Sequence, residues 1–191
     1  ALDAGLIGRW DTMDPSDGGE ASRYSLSSTW NRTGEKSATS TNAYVIRSRL
    51  QLWNNFTFFQ DDAVNGDQFE QRDSRVTSGI NAKHTLFGKW GNREVENTFG
   101  FQSRNDNINV GLFRSAQRAV LGTTRSDHVV ETSGGLYFQN GVRWNDWFRS
   151  VAGVRGDYYR ADVDSDNAKN TGRVNDHLIS PKLSLVFGPW S

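Results

Sequence analysis

The chain has no cysteine, three prolines and one methionine in 191 residues, and its 22 basic side chains are balanced by 22 acidic ones. Without thiols, disulfide frameworks, thiolate metal centres and cysteine nucleophiles are excluded together, and an oxidising compartment is tolerated. Zero net charge leaves no overall field to recruit nucleic acid or an anionic surface. No run of 18 apolar residues occurs, so no helix reads as a membrane span; a β-barrel, whose strands each need about 9 to 11 residues, stays open. Apolar residues are themselves scarce at 35%, below the usual share of about 45 to 50%. Disorder would explain that shortage, yet seven tryptophans and eleven phenylalanines are present, and disordered chains are poor in aromatics. A sequence that begins at Ala1 without an initiator methionine reads as processed, or cut from a longer one.

What the sequence does have is alternation with a period of two. From Tyr44 to Phe59 the even positions hold Tyr44, Ile46, Leu50, Leu52, Phe56 and Phe58, and the odd ones Arg47, Arg49, Gln51 and Asn55. That pattern predicts an extended segment with one oily and one wet face. It recurs with Tyr24, Leu26 and Trp30; with Val76, Ile80, Ala82 and Leu86; and with Val95, Phe99 and Phe101. Val130, Leu136, Phe138 and Val142 continue it, then Phe148, Ala152, Val154 and Tyr158, and finally Ile179, Leu183, Leu185 and Phe187. Seven segments of roughly 9 to 15 residues suit a bilayer better than a sandwich.

The connections alternate as well. Tight, turn-rich links fall at 88–92 and 144–146, with a somewhat longer hairpin at 33–36, whereas 60–69, 105–127 and 161–176 read as long polar loops. Short turns at one end and long loops at the other describe an all-β, antiparallel, up-and-down transmembrane barrel wall, with the turns periplasmic and the loops extracellular. The whole of 1–191 reads as one such segment, with 1–21 a loop or partial strand and Leu6 to Thr12 the place for an eighth strand. Trp30, Trp90, Trp144, Trp147, Tyr158, Tyr159 and Trp190 fall near strand ends, where interfacial girdles belong.

On this reading Arg47, Arg49, Arg75, Lys83, Glu94, Glu96, Glu131, Arg149, Arg155 and Asp157 face a wet lumen. No catalytic set emerges: His84, His128 and His177 lie on separate segments, with His84 on the oily side, and Glu94 with Glu96 reads as lumenal charge. Asp162, Asp164 and Asp166 open like a calcium loop, but Asn167 and Arg173 stand where Gly and Glu are required, so neither a metal site nor a cofactor is assigned. Asp61 and Asp62 in one loop, and Arg114, Arg118 and Arg125 in another, are the candidates for contacting a ligand, the arginines for an anionic one.

Several stretches resemble TonB-dependent outer-membrane receptors. They are Asn55-Phe56-Thr57-Phe58-Phe59 with Asp61-Asp62 and Asn65-Gly66-Asp67-Gln68-Phe69; Trp147-Phe148-Arg149 with Gly153-Val154-Arg155-Gly156-Asp157; and Ser180-Pro181-Lys182-Leu183-Ser184-Leu185 running to Phe187-Gly188-Pro189-Trp190. The resemblance implies a receptor in the bacterial outer membrane, among lipid and lipopolysaccharide, importing a scarce nutrient such as a siderophore with energy relayed by TonB. Such receptors carry a plug and a TonB-contacting segment, neither of which is visible, so the chain reads as a middle section of the barrel. Two alternatives stand beside this: a self-contained small barrel, which needs its edges joined, and a soluble carbohydrate-binding β-sandwich, which needs its oily faces packed together.

Overall fold

The computed structural model describes residues 8, 12 and 14–188. Seven strands follow in chain order: β1 (Gly18–Thr33), β2 (Ser37–Asn54), β3 (Phe69–Trp90), β4 (Arg93–Ala116), β5 (Ala119–Asn145), β6 (Phe148–Ser165) and β7 (Gly172–Phe187). Each pairs antiparallel with the next, giving one up-and-down sheet. Among the described residues there is no helix and no second sheet. The sandwich alternative, which requires two facing sheets, is therefore contradicted. Among the described residues β1 and β7 pair only inward, so the sheet is open. The proposed eighth strand at 6–12 lies outside the described residues, apart from residues 8 and 12.

The strands run 16 to 27 residues, longer than the alternation implied. Much of what read as long loop is strand. Residues 105–127 form the upper part of the β4–β5 hairpin, which turns at Gln117 and Arg118, both at positive φ (48° and 68°). Two central residues in the left-handed region match a tight hairpin turn, but one normally built from Asn and Gly, so the sequence hid it. Likewise β6 and β7 leave only 166–171 between them. The one long loop is 55–68, between β2 and β3; the turns at 34–36, 91–92 and 146–147 share the opposite end.

Directly opposed residues in an antiparallel ladder point to the same side, so the register sorts every strand residue onto one of two faces. Tyr24, Leu26, Ile80, Leu86, Phe99, Phe101, Leu136, Phe138, Val154, Ile179 and Leu183 share one face, called here the oily face. These side chains are exposed, Leu136 at 67% and Leu183 at 69%, because nothing in the chain covers them. At the short-turn end an aromatic cluster borders this face: Trp90 lies 6.0 Å from Trp144, Trp144 lies 6.5 Å from Phe148, and Phe148 lies 4.9 Å from Phe187. On β6 the oily stretch runs from Phe148 to Tyr158, about the 9 to 11 residues a bilayer requires of a strand.

Above Tyr158 the same face turns polar. Arg160 and Asp162 follow on β6, Asn105, Asn107 and Asn109 on β4, Ser74 and Arg72 on β3. These asparagines bond across the ladder, Asn105 Nδ2 to Thr132 Oγ1 at 2.8 Å, and Asn109 Oδ1 to His128 Nδ1 at 2.9 Å. The opposite face inverts in the other sense. Nearer the turns it carries Lys83, Glu94, Glu96, Gln139, Arg149 and Lys182, and nearer the loops it gains Ile46, Leu50, Leu52, Val110, Leu112 and Val129.

That inversion corrects the reading of β2. Its apolar set, Tyr44, Ile46, Leu50 and Leu52, opposes Gly79, Thr77, Asp73 and Gln71 and so lies on the charged face, while Arg47 and Arg49 oppose Val76 and Ser74 on the oily-face side. The alternation itself is present; β2's polarity has the opposite phase from the other six strands, because its most apolar residues belong to the upper half.

Candidate functional site

The charged face is organised by a spacing. Arg75 pairs with Asp73, Arg104 with Asp106 at 2.6 Å, Arg125 with Asp127 and Arg155 with Asp157 at 2.6 Å, each two residues apart on one strand. Arg72 with Glu70 and Arg160 with Asp162 at 2.7 Å repeat the arrangement on the other face. Side chains at i and i+2 leave a strand on the same side about 7 Å apart, within reach of an extended guanidinium. With their arginine ends hydrated, such pairs are worth about 0 to 1 kcal/mol each; their effect is to fix orientation. Asp106 also accepts from Thr77 Oγ1 at 2.6 Å, and Arg155 Nη1 donates to Gln102 Oε1 at 2.7 Å.

Tyrosines are laid flat along this face. Tyr44 and Tyr137 sit directly across from Gly79 and Gly100. A Cβ at Gly79 would come within 2.5 Å of the Tyr44 hydroxyl, and one at Gly100 would overlap the Tyr137 ring. Glycine is needed at both places for that close approach. Two cavities open on either side of the Tyr159 ring, one of about 340 Å³ lined by Arg104, Asp106, Glu131, Tyr159 and Val174, the other of about 210 Å³ lined by Tyr44, Gln102, Arg155, Asp157 and Tyr159.

Of the ten residues expected to face a wet lumen, eight share one face of the sheet: Arg75, Lys83, Glu94, Glu96, Glu131, Arg149, Arg155 and Asp157. Arg47 and Arg49 point to the other side, for the phase reason given above. The alternation missed Arg104, Asp106 and Tyr44 as members of the charged face, Arg104 because it lies past the last alternating residue of its segment and Asp106 because 105–127 resembled a loop.

The five candidates for ligand contact cluster at the long-loop end, and four are already engaged with the protein. Asp62 accepts from the backbone of Val64 and Asn65 at 3.0 and 2.9 Å and pairs with Arg114 at 2.8 Å. Bonds from the Asn65 backbone and side chain and the Val64 backbone, with a smaller contribution from Arg114, hold the Asp62 carboxyl down at about 2. Asp67 organises the loop start by accepting the N–H groups of Gln60, Asp61 and Asp62. Partial burial pushes its carboxyl up, but those bonds outweigh it and the net direction is down. Asp61 contributes its backbone, and its carboxylate is exposed.

Arg118 donates to the carbonyls of Ser16 and Asp17 at 2.7 and 3.2 Å and lies 4.8 Å from the centre of the Trp53 ring. Beside it the buried Gln68 is satisfied on both sides: its Nε2 donates to Ser16 Oγ at 2.7 Å, and its Oε1 accepts from Ser115 Oγ and the Arg118 backbone. Asn55 Nδ2 donates to Asp14 Oδ2 at 2.8 Å. The segment before β1 is thereby fastened across the β2–β3 loop and the β4–β5 turn. Gln68 and Asn55 are invisible to charge-based reasoning, because what matters is their burial. Arg125 is held by Asp127. Asp162 pairs with both Arg160 and Arg173, and His84 bonds Thr39 Oγ1 at 2.8 Å on the oily face. Among the described residues no three His, Asp or Glu side chains gather into a metal site.

Residues 3–191 match the model of the family described as TonB dependent receptor-like, beta-barrel. Among solved structures the chain is similar to the ferric citrate transporter FecA in its unliganded form, with a TM-score of 0.71 and 11% identity over 93% of this chain. That likeness is one of fold, and the chain spans 26% of the transporter's length. No curated protein sequence matches.

Proposed function

The chain belongs to the TonB-dependent receptor-like β-barrel family, and from that premise we propose that it forms part of an outer-membrane receptor that binds and imports a scarce nutrient such as a ferric siderophore. The observation that carries this reading is the division of the oily face into an aromatic-edged apolar stretch of about one bilayer's height and a polar extension above it. In this arrangement the apolar stretch meets the lipid of the outer membrane, the short turns are periplasmic, and the upper strands project outward beside lipopolysaccharide. The charged face lines the interior. Its many weak ion pairs orient a plug without locking it, and TonB acts through that plug region. The role is transport, with no catalytic step and no nucleic-acid partner.

The loop end, where Asp61, Asp62, Arg114, Arg118 and Arg125 lie, is the outward mouth of this wall. Asp61, exposed and unengaged through its carboxylate, is placed to meet a ligand, whereas Arg114 and Arg118 act by holding the loop in shape. The likeness to a ferric citrate transporter supports iron-carrying ligands as the first class to try. The test is uptake by cells carrying or lacking the gene, supplied with a panel of ferric chelates, with and without TonB. The expected result is uptake of one chelate that needs both the gene and TonB; uptake that proceeds equally without TonB would refute the proposal.

A further inference from the structure

Six arginines on this sheet are answered by a carboxylate two residues away, in the pairs described above. Arg47 and Arg49 are not among them: each has the other, a second cation, as its i+2 neighbour on the same face, and neither forms a hydrogen bond or ion pair with any described residue. They lie on the outward side of β2, directly opposite Tyr24 and Ser22 on β1 and Val76 and Ser74 on β3. Ten residues separate Ser37, at the turn end, from Arg47. At about 3.3 Å per residue and a tilt near 45° that is roughly 23 Å of height, close to the apolar band of about 25 Å in a barrel of this kind. Arg47 and Arg49 therefore stand at the upper rim of the apolar stretch, with the amphipathic Tyr24 beside them.

We propose that Arg47 and Arg49 bind the phosphate of a lipid A headgroup in the surrounding outer leaflet; this rests on the membrane placement proposed above. A cavity of about 350 Å³ opens beside Arg49, lined also by Ser22, Ser74, Gln51, Arg72, Glu20 and Asp73, the last paired with Arg75. Arg49 and the two serines offer donors at its wall, whereas the Gln51 amide is already donating to Glu70. Arg72 is committed to Glu70, and Glu20 forms no ion pair with either free arginine. Two guanidiniums about 7 Å apart on one face match an anion that presents several oxygens, since each can donate a planar fork to phosphate. No carboxylate of the described residues answers either arginine, which leaves their paired charge to be met from outside.

The test uses the full receptor in nanodiscs, with native mass spectrometry counting retained lipid A molecules as bisphosphorylated lipid A, dephosphorylated lipid A or inorganic phosphate is titrated. The receptor should retain the bisphosphorylated lipid, and the double variant Arg47→Gln/Arg49→Gln should bind it about 30-fold more weakly, from roughly 1 kcal/mol for each arginine near an anionic surface at 1.4 kcal/mol per tenfold. Arg23→Gln, at the same height on the opposite face, should change nothing. Equal retention of the dephosphorylated lipid, or an unchanged double variant, overturns the inference, and so does saturation by inorganic phosphate alone with no preference for the lipid. Heat-modifiable migration of the wild-type receptor is read in parallel. Its loss would fault the barrel reading itself, whereas a migrating barrel with indifferent arginines would fault only this site.

Discussion

Val154 gives the cleanest place to ask which solvent the oily face meets. It points outward from β6, is 46% exposed, and opposes Phe138 and Pro181. Six residues separate it from Phe148 in the aromatic edge, about 20 Å along the strand and about 14 Å of height at a 45° tilt, close to the middle of the hydrocarbon layer. Substituting arginine there removes little packing, so the cost comes almost wholly from placing a guanidinium in hydrocarbon, about 2 to 4 kcal/mol at the midplane. The neighbouring-strand change Gln139→Arg puts the same charge on the other face, opposite Gly153, where an aqueous interior would hydrate it at a cost under about 0.5 kcal/mol. Denaturant titration of the full receptor in lipid bilayers measures both. If Val154→Arg proves as mild as Gln139→Arg, or if the two costs are reversed, the assignment of faces is wrong.

Other expectations concern the interior wall and the loop end. Gly100→Val should displace the Tyr137 ring and lower receptor stability by about 1 to 3 kcal/mol, while Gly88→Val, where an added Cβ meets nothing within 4 Å, should cost far less; similar losses in both would show that the close approach is unimportant. Arg118→Ala should free the segment before β1, raising amide exchange at Ser16 and Asp17 by about 30-fold for roughly 2 kcal/mol of lost hydrogen bonding and ring contact, and unchanged exchange would deny the clamp. Asp62 titrates at about 2 against an ordinary 3.8, so its contribution to loop order is complete above about pH 4 and is lost as the pH falls toward 2. Pepsin cleavage at Phe56, Phe58 and Phe59, normalised to a free peptide, should therefore speed up across that window, with Asp62→Ala cleaved fast already at pH 4; a flat profile would contradict this.

How far the sequence discloses this molecule depends on the residue. Six strands show their oily face directly, since Phe, Leu and Val alternate with charge and a one-residue slip would exchange the faces. β2 misleads because its strongest alternation, Tyr44 to Leu52, lies mostly in the half of the sheet nearer the long loop, where the preference of each face changes. Residues 105–127 resemble a loop because Asn and Asp are poor strand formers and the turn at Gln117-Arg118 has neither Asn nor Gly; cross-strand bonds such as Asn105 to Thr132 hold the ladder instead. The arginines of the loop end are easily found, but their work is not: Arg118 bonds carbonyls about a hundred residues earlier in the chain, a partnership no local pattern announces. The Arg-x-Asp spacing, by contrast, is plain in the sequence once strands are assigned, and its failure at Arg47-x-Arg49 is equally plain.

The most direct test of the account is a cysteine scan along β6 from 148 to 164 in the full receptor, simple to interpret in this stretch because the chain has no native cysteine. Each cysteine carries a fluorophore and is challenged with a lipid-borne quencher and then with a water-soluble one. Positions 150, 152, 154, 156 and 158 should be quenched from lipid and the odd positions from water, with the alternation vanishing into water quenching at 160, 162 and 164. Water quenching of 150 to 158 equal to that of their odd neighbours would show that no bilayer lies against this face.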